Sequence, residues 1–453
     1  MKRSLLVIWS TLSARRRTLL AGALLAGAIA FALLRITHLH SVGGVRFSAA
    51  AWVLADFKST AYYPAKAFAE GGNPYDTPRY MAQYPAPEPF RMYPPAMLLL
   101  NQPFAAMPVD LAGKVKFIVT LLLSGVLAYV SLRLARVPVT APKVLLIWGL
   151  ILFSRPGQWN LLQGQMTLPL VLATYAAIAL DRRHWVLAGT ALAFCMIKPS
   201  YGLPLAIFLL AREQFAALGV GAAFTLALNL PFALILVQRA GGVNALFSDY
   251  LLGQHNLRRT IYPQTEVSFY RIDAGAFPTR LSEVPMELAI PVMAILVLGL
   301  AVYPFRRRLR EASGSDALAA GLMCTAILLS IYHIGYDLLL LTWPFVALVW
   351  PEHSGLRTEP AMRWVAIGIL AVLAANYATS FALLQAIQPH HLIWLLLASL
   401  NGILLLALFG FYFGEALRPG VAPGRRRPSE WRAKVDWKGS PLEHRLASVS
   451  VRP

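Results

Sequence analysis

Apolar stretches recur along this chain from Thr18 to Phe413, and the longer ones reach the roughly 17 to 25 residues that cross a ~30 Å hydrocarbon core. That recurrence leaves little room for a water-soluble domain. With 57% hydrophobic and only 14% charged residues, against about 25% charged in soluble domains, the chain reads as an all-α integral membrane protein. A formal net charge of +20 would point to nucleic acid in a soluble protein. Here the basic residues gather at the ends of apolar stretches, where they set topology, so no nucleic-acid partner is expected. Cys195 and Cys324 both lie within apolar stretches, which argues against a disulfide framework.

Lys2, Arg3 and Arg15 to Arg17 precede the first stretch in the manner of a signal peptide, and Ala28-Ile29-Ala30 offers a weak cleavage site. The apolar run continues past that site, so we expect an uncleaved anchor. With the N-terminus on the cytoplasmic side, spans are placed near 18–36, 113–134, 144–156, 166–180, 185–198, 199–210, 215–237, 286–305, 317–333, 334–350, 363–381 and 391–413, twelve in all. Residues 94–108, with prolines and too few apolar residues to cross, form an interfacial or re-entrant piece.

Two placements rest on breaks, at Lys198-Pro199 and within 317–350. Proline after Lys198 favours a helix end there. That break also puts Arg133, Arg136, Lys143, Arg182, Arg183, Arg306 to Arg308, Arg310, Arg357 and Arg363 on the cytoplasmic side, as the positive-inside rule asks. The resulting domains are a transmembrane body, 1–413, with outer loops 37–112 and 238–285, and a basic, flexible cytoplasmic tail, 414–453. No internal repeat is evident, which disfavours transporters built from repeated halves.

With this topology every unusual polar motif faces one outer compartment. Asp56 opens the first loop, Gly164-Gln165-Met166-Thr167 joins the third and fourth spans, Ile197-Lys198-Pro199 ends the fifth, and Tyr332-His333-Ile334-Gly335-Tyr336-Asp337 joins the ninth to the tenth. Ionisable residues at membrane depth are costly and usually functional, so Lys198, His333 and Asp337 at broken helix ends point to a site between helices.

The order of Asp56, Tyr62-Tyr63, Gly72-Asn73-Pro74-Tyr75, Tyr93-Pro94-Pro95, Gly164-Gln165, Ile197-Lys198-Pro199 and a late His333 with Tyr336-Asp337 resembles glycosyltransferase family 87. Over roughly residues 20–413 the resemblance implies a GT-C fold, a mannosyltransferase-like activity with a polyprenyl-phosphate sugar as donor, and a lipid or glycan acceptor. It further implies a multi-pass inner-membrane protein with a periplasm-facing active site, and a catalytic Asp in the first outer loop, here Asp56. Where the family usually carries Asn after Gly-Gln, this chain departs and has Thr167.

The chemistry asks for similar groups. A sugar on a lipid phosphate leaves as an already acidic group, so cations and hydrogen-bond donors suffice to hold the developing charge. One carboxylate then serves as general base on the acceptor hydroxyl, and direct displacement inverts the anomeric centre. Candidates for donor phosphate or substrate binding are Lys198, His333, Gln165, Tyr62, Tyr63, Tyr75, Arg258, Arg259 and Asp337, with Asp56 as the catalytic base. Each has an ordinary alternative: a capping acid for Asp56, a snorkelling Lys198, a core His333, a structural Asp337, interfacial tyrosines, a turn residue for Gln165, a solvated Arg258/Arg259 pair. The pairs His38/His40 and His390/His391 lack a matching carboxylate or Cys set, and no Asp-x-Asp pair occurs, so neither a metal nor a cofactor is expected. Two other readings stay open at this level: a transporter or flippase of lipid-linked saccharides, and a non-catalytic partner in envelope glycan assembly.

Overall fold

Lipid offers no water to satisfy backbone groups, so a chain this apolar closes its hydrogen bonds within helices. The computed structural model describes residues 11–38, 54–90, 93–180, 182–256, 271–282, 286–306, 316–356, 358–377, 387 and 391–418. Among them there is no strand, only an isolated antiparallel bridge between Arg271 and Ile334.

Helix α1 (Ala14–His38) is followed by a helical turn, Ala55–Phe57, which continues through a π-helical turn, Lys58–Tyr62, into α2 (Tyr63–Ala69). Three short helices follow, α3 (Thr77–Gln83), α4 (Ala96–Leu100) and α5 (Gln102–Ala105). The body then comprises α6 (Val109–Leu134), α7 (Ala141–Phe153), α8 (Arg155–Gln163), α9 (Thr167–Ala179), α10 (Trp185–Cys195), α11 (Pro199–Ala211) and α12 (Phe215–Ala240). Beyond α13 (Val243–Asn256) and α14 (Ala276–Ser282) come α15 (Met286–Pro304), α16 (Ala317–Ser330), a 3-10 segment (Gly335–Leu341) and α17 (Thr342–Val349). The last three are α18 (Pro351–Ser354), α19 (Pro360–Ala375) and α20 (His391–Leu417).

Every expected span has an apolar helix, and these helices differ in length. Among the described residues, only α1, α6, α12 and α20 are long and apolar enough to cross a membrane, and eight further apolar helices run 10–17 residues. The physical reason is that the chain breaks where polar groups are needed. Ser154 ends α7 and caps α8, accepting from Gly157 N at 3.1 Å. Pro199 starts α11 immediately after Lys198, and an extended stretch separates α16 from the 3-10 segment at Gly335. Helix α8 falls where the sequence reading had a connection, and the expected re-entrant piece is the pair α4–α5.

The centre of the body is α16, all of whose residues are buried. Asp316 starts it by accepting from the amides of Leu318 and Ala319. It packs against α11, α15, α17 and α20. Between apolar helices in lipid, close van der Waals approach rather than a hydrophobic drive holds the pair, so small residues mark the contacts. At Gly321 an added methyl would stand 2.2 Å from the Tyr412 ring, which fixes the separation of α16 from α20. Helix α12 instead turns Phe224, Leu226, Leu230 and Leu234 outward, the composition of a lipid-facing surface.

The described residues between α1 and α6 form a packed layer, with a core of Phe57, Tyr62, Phe68, Tyr75, Tyr80, Phe90, Met97 and Leu98 that joins the body through Ile197 and Leu236. Its Gly-Gly-Asn-Pro turn is gripped from two sides. Arg239 at the end of α12 donates to the carbonyls of Phe68 and Gly72, at 2.8 and 2.9 Å, and Asn73 donates to Asp249 on α13 at 3.0 Å. Residues 94–100 are tied down as well, the Ala96 amide donating to Asn229 Oδ1 at 2.8 Å.

Candidate active site

Four polar segments far apart in sequence converge where this layer meets the broken helices. Asp56 enters through an unusual backbone: Leu54, just before the first turn, has φ of 60° and ψ of 34°, the left-handed region that a leucine rarely adopts. Its amide donates to Leu162 O at 2.7 Å, which locks the turn to the end of α8. The π-helical turn that follows is the kind of irregularity found at functional sites.

Gly164 ends α8 with φ of +67°. A side chain there would meet Phe57 Cβ at 2.7 Å and a Leu54 methyl at 3.0 Å, so only glycine lets this turn lie against the Asp56 turn. The next residue, Gln165, is 5% exposed, and its side-chain amide donates to the Asp56 carboxylate.

Two residues on, Thr167 donates to Asp337 Oδ1 at 3.0 Å. Asp337 is fully buried and is surrounded by donors. Lys198 Nζ lies 2.9 and 2.7 Å from its two oxygens, Tyr201 donates at 2.9 Å, His333 Nδ1 lies at 2.8 Å and Ile334 N at 3.4 Å. The other ring nitrogen of His333 faces Ser200 O at 3.2 Å. The ring thus bridges Asp337 on one helix-breaking segment to the backbone of α11 on the other. The Lys198 side chain keeps 13% exposure where Asp337 has none, so the lysine is the more accessible member of this ion pair.

Tyr93 links the two carboxylates. Burial, followed by the charges of Asp56 and Asp337, pushes its phenol well above the usual range. Lys198 Nζ also stands 5.2 Å from the ring centres of both Tyr201 and Tyr336. Aromatic rings, one acid held by an amide and a lysine held by a second acid thus occupy a single location. Among the described residues, no group of three His, Cys, Asp or Glu side chains comes together as a metal site.

A family model, that of glycosyltransferase family 87, matches residues 91–331 of the 453. This chain belongs to glycosyltransferase family 87. It is a membrane glycosyltransferase, which the apolar helices and the polar cluster between them accommodate. The matched span includes Gln165 and Lys198, whereas Asp56, His333 and Asp337 lie outside it. No curated protein and no solved structure matches the chain.

Within this glycosyltransferase the expected site residues divide. Asp56, Gln165, Lys198, His333 and Asp337 are brought together. Asp337 was expected to contact substrate, but its oxygens are already occupied by five groups, so it holds Lys198 and His333 in place. The rings of Tyr62 and Tyr75, 1% and 5% exposed, cannot stack on a sugar. Their hydroxyls donate to Met107 O and Tyr93 O, at 2.8 and 2.7 Å, and so build the layer. Tyr63 is partly exposed and packs edge-on against Tyr62. Arg258 and Arg259 lie outside the described residues.

Sequence reasoning missed three contributors. Tyr201 sits in an apolar helix whose pairing no pattern announced. The buried Arg271–Asp273 pair, bonded at 2.9 Å through Nε, follows the residues the reading had favoured in the second loop. The backbone around it holds the His333 segment, Ile272 N donating to His333 O at 3.0 Å. Trp159 on α8 packs edge-on against Tyr336, with Asn160 donating to Tyr336 O at 3.1 Å.

Proposed function

We propose that this protein transfers a hexose, mannose by family analogy, from a polyprenyl-phosphate donor to a lipid or glycan acceptor. In this reading the fold is of the GT-C type, and the site opens on the periplasmic face of an inner membrane. The observation that carries it is the placement of the amide-held Asp56 beside the partly exposed Lys198 ammonium, which Asp337 holds in position. A phosphodiester donor carries one negative charge, which that ammonium can meet.

In the transfer, Asp56 takes the proton of the acceptor hydroxyl while the acceptor oxygen forms its bond to the anomeric carbon. The bond from that carbon to the phosphate oxygen breaks, and its electron pair leaves on the phosphate. Attack and departure lie on opposite faces, so the configuration inverts. Lys198 stabilises the charge that builds on the leaving oxygen, and Asp337, with His333 and Tyr201 bonded to it, holds the lysine in position. Tyr63, on the exposed side of the layer, is the tyrosine left to meet a sugar face.

Full-length protein in lipid nanodiscs, given labelled polyprenyl-phosphate-mannose and membrane-extracted acceptor lipids, should form a labelled glycolipid or glycan. Translocation of a lipid-linked saccharide across vesicles lacking acceptor, with no transfer in its presence, would instead support the flippase reading.

A further inference from the structure

The charge cluster around Asp337 leaves another buried cation without an acid. Lys116 on α6 is 5% exposed, and among the described residues no carboxylate lies within ion-pair distance of it. The described contact of its ammonium is Met166 Sδ at 3.8 Å, a weak acceptor. A charge buried this way is costly and is normally retained for function.

Its position is specific. Three consecutive residues touch three charged groups: Gln165 bonds Asp56, Met166 lies against the Lys116 ammonium, and Thr167 bonds Asp337. The Lys116 stem also passes 3.6 Å from the point where a Gly164 side chain would begin. Lys116 therefore sits behind the same turn that carries the base and the cation cluster.

We propose that Lys116 is a second phosphate-binding cation, which engages the leaving group as it becomes a monoester. This rests on the transfer reaction proposed above. Before transfer the donor phosphodiester carries one negative charge, which the Lys198 ammonium meets. When the bond from the anomeric carbon to oxygen breaks, the electron pair stays on phosphate, whose charge approaches two at neutral pH. The extra charge needs a second cation, and the flexible four-carbon stem of Lys116 lets its ammonium turn from the thioether toward it. Lys116 thereby favours the product-like state over the bound donor.

The test compares full-length parent, Lys116→Met and Lys116→Arg proteins in nanodiscs, using a short polyprenyl phosphate and its methyl diester as competing ligands. In Lys116→Met, affinity for the monoester should fall about tenfold to a hundredfold, the range for one lost hydrogen bond to a charged group. Affinity for the diester should change far less, and Lys116→Arg should restore part of the preference. Thermal unfolding should show Lys116→Met as stable as the parent, since apolar replacement of a buried charge is tolerated. Equal loss for both ligands, or no loss for either, would overturn the role of Lys116. Failure of the parent to bind either ligand would instead overturn the donor class, and this inference with it.

Discussion

Replacing Gly164 by alanine tests whether the Asp56 and Gln165 turns are held in register by contact. The backbone term comes first: φ of +67° places a non-glycine residue in the left-handed region, a cost of about 1 kcal/mol. The methyl would then stand 2.7 Å from Phe57 Cβ and 3.0 Å from a Leu54 methyl, and neither the helical turn nor the left-handed Leu54 gives way easily. Overpacking of this kind costs about 1–3 kcal/mol, for a total of about 2–4 kcal/mol. Gly241 supplies the control, with φ of +84° and nothing within 4 Å of an added methyl, so Gly241→Ala should cost only the backbone term. Unfolding titrations in mixed micelles give the stability difference between the two variants. Sugar transfer, assayed at a temperature where both stay folded, should fall about tenfold to a hundredfold in Gly164→Ala, because a shift of a fraction of an ångström moves the Gln165 amide off the base. If the two variants are equally stable and equally active, the close contact at Gly164 does not position the site.

Asp337→Asn keeps the shape of the side chain but leaves the largely buried Lys198 without a counter-charge. It should destabilise the protein by about 3–5 kcal/mol, measured by the same titration, with Lys198→Met partly offsetting the loss when combined with it. Gln165→Glu sets a carboxylate against Asp56. A like charge raises the pKa of the base, so its active, ionised form appears only at higher pH, and the acidic limb of the pH–rate profile should move upward. A limb that stays in place would separate Asp56 from the rate.

Much of the architecture could be read from the chain because proline and charge mark helix ends. The break at Lys198-Pro199 needed only proline chemistry, and the motif from His333 to Asp337 announced itself as polar residues inside an apolar run. The tyrosines were harder. A tyrosine in a loop near the membrane reads as an interfacial or stacking ring, yet Tyr62 and Tyr75 satisfy their hydroxyls on backbone carbonyls 45 and 18 residues away, a pairing that no local pattern encodes. Tyr201 and Lys116 stayed hidden for a related reason. An apolar helix gives little sign of which face meets which neighbour, and a lysine near a helix end reads first as a topology signal. Lys114, two residues before it, strengthens that reading by making the pair look like a helix-end charge cluster. The double break around α8 escaped because Arg155-Pro156 reads as the close of a span, whereas Ser154 restarts a helix there.

The carboxylate at position 56 is where the chemistry and the geometry meet, and the most direct measurement is the single-turnover transfer rate of Asp56→Asn beside the parent. With donor bound at saturation, so that affinity drops out, the variant should bind polyprenyl-phosphate-mannose as tightly as the parent and transfer it at least about a hundredfold more slowly, the scale of a lost general base. Transfer at the parental rate once the carboxylate at position 56 has become an amide would contradict the assignment.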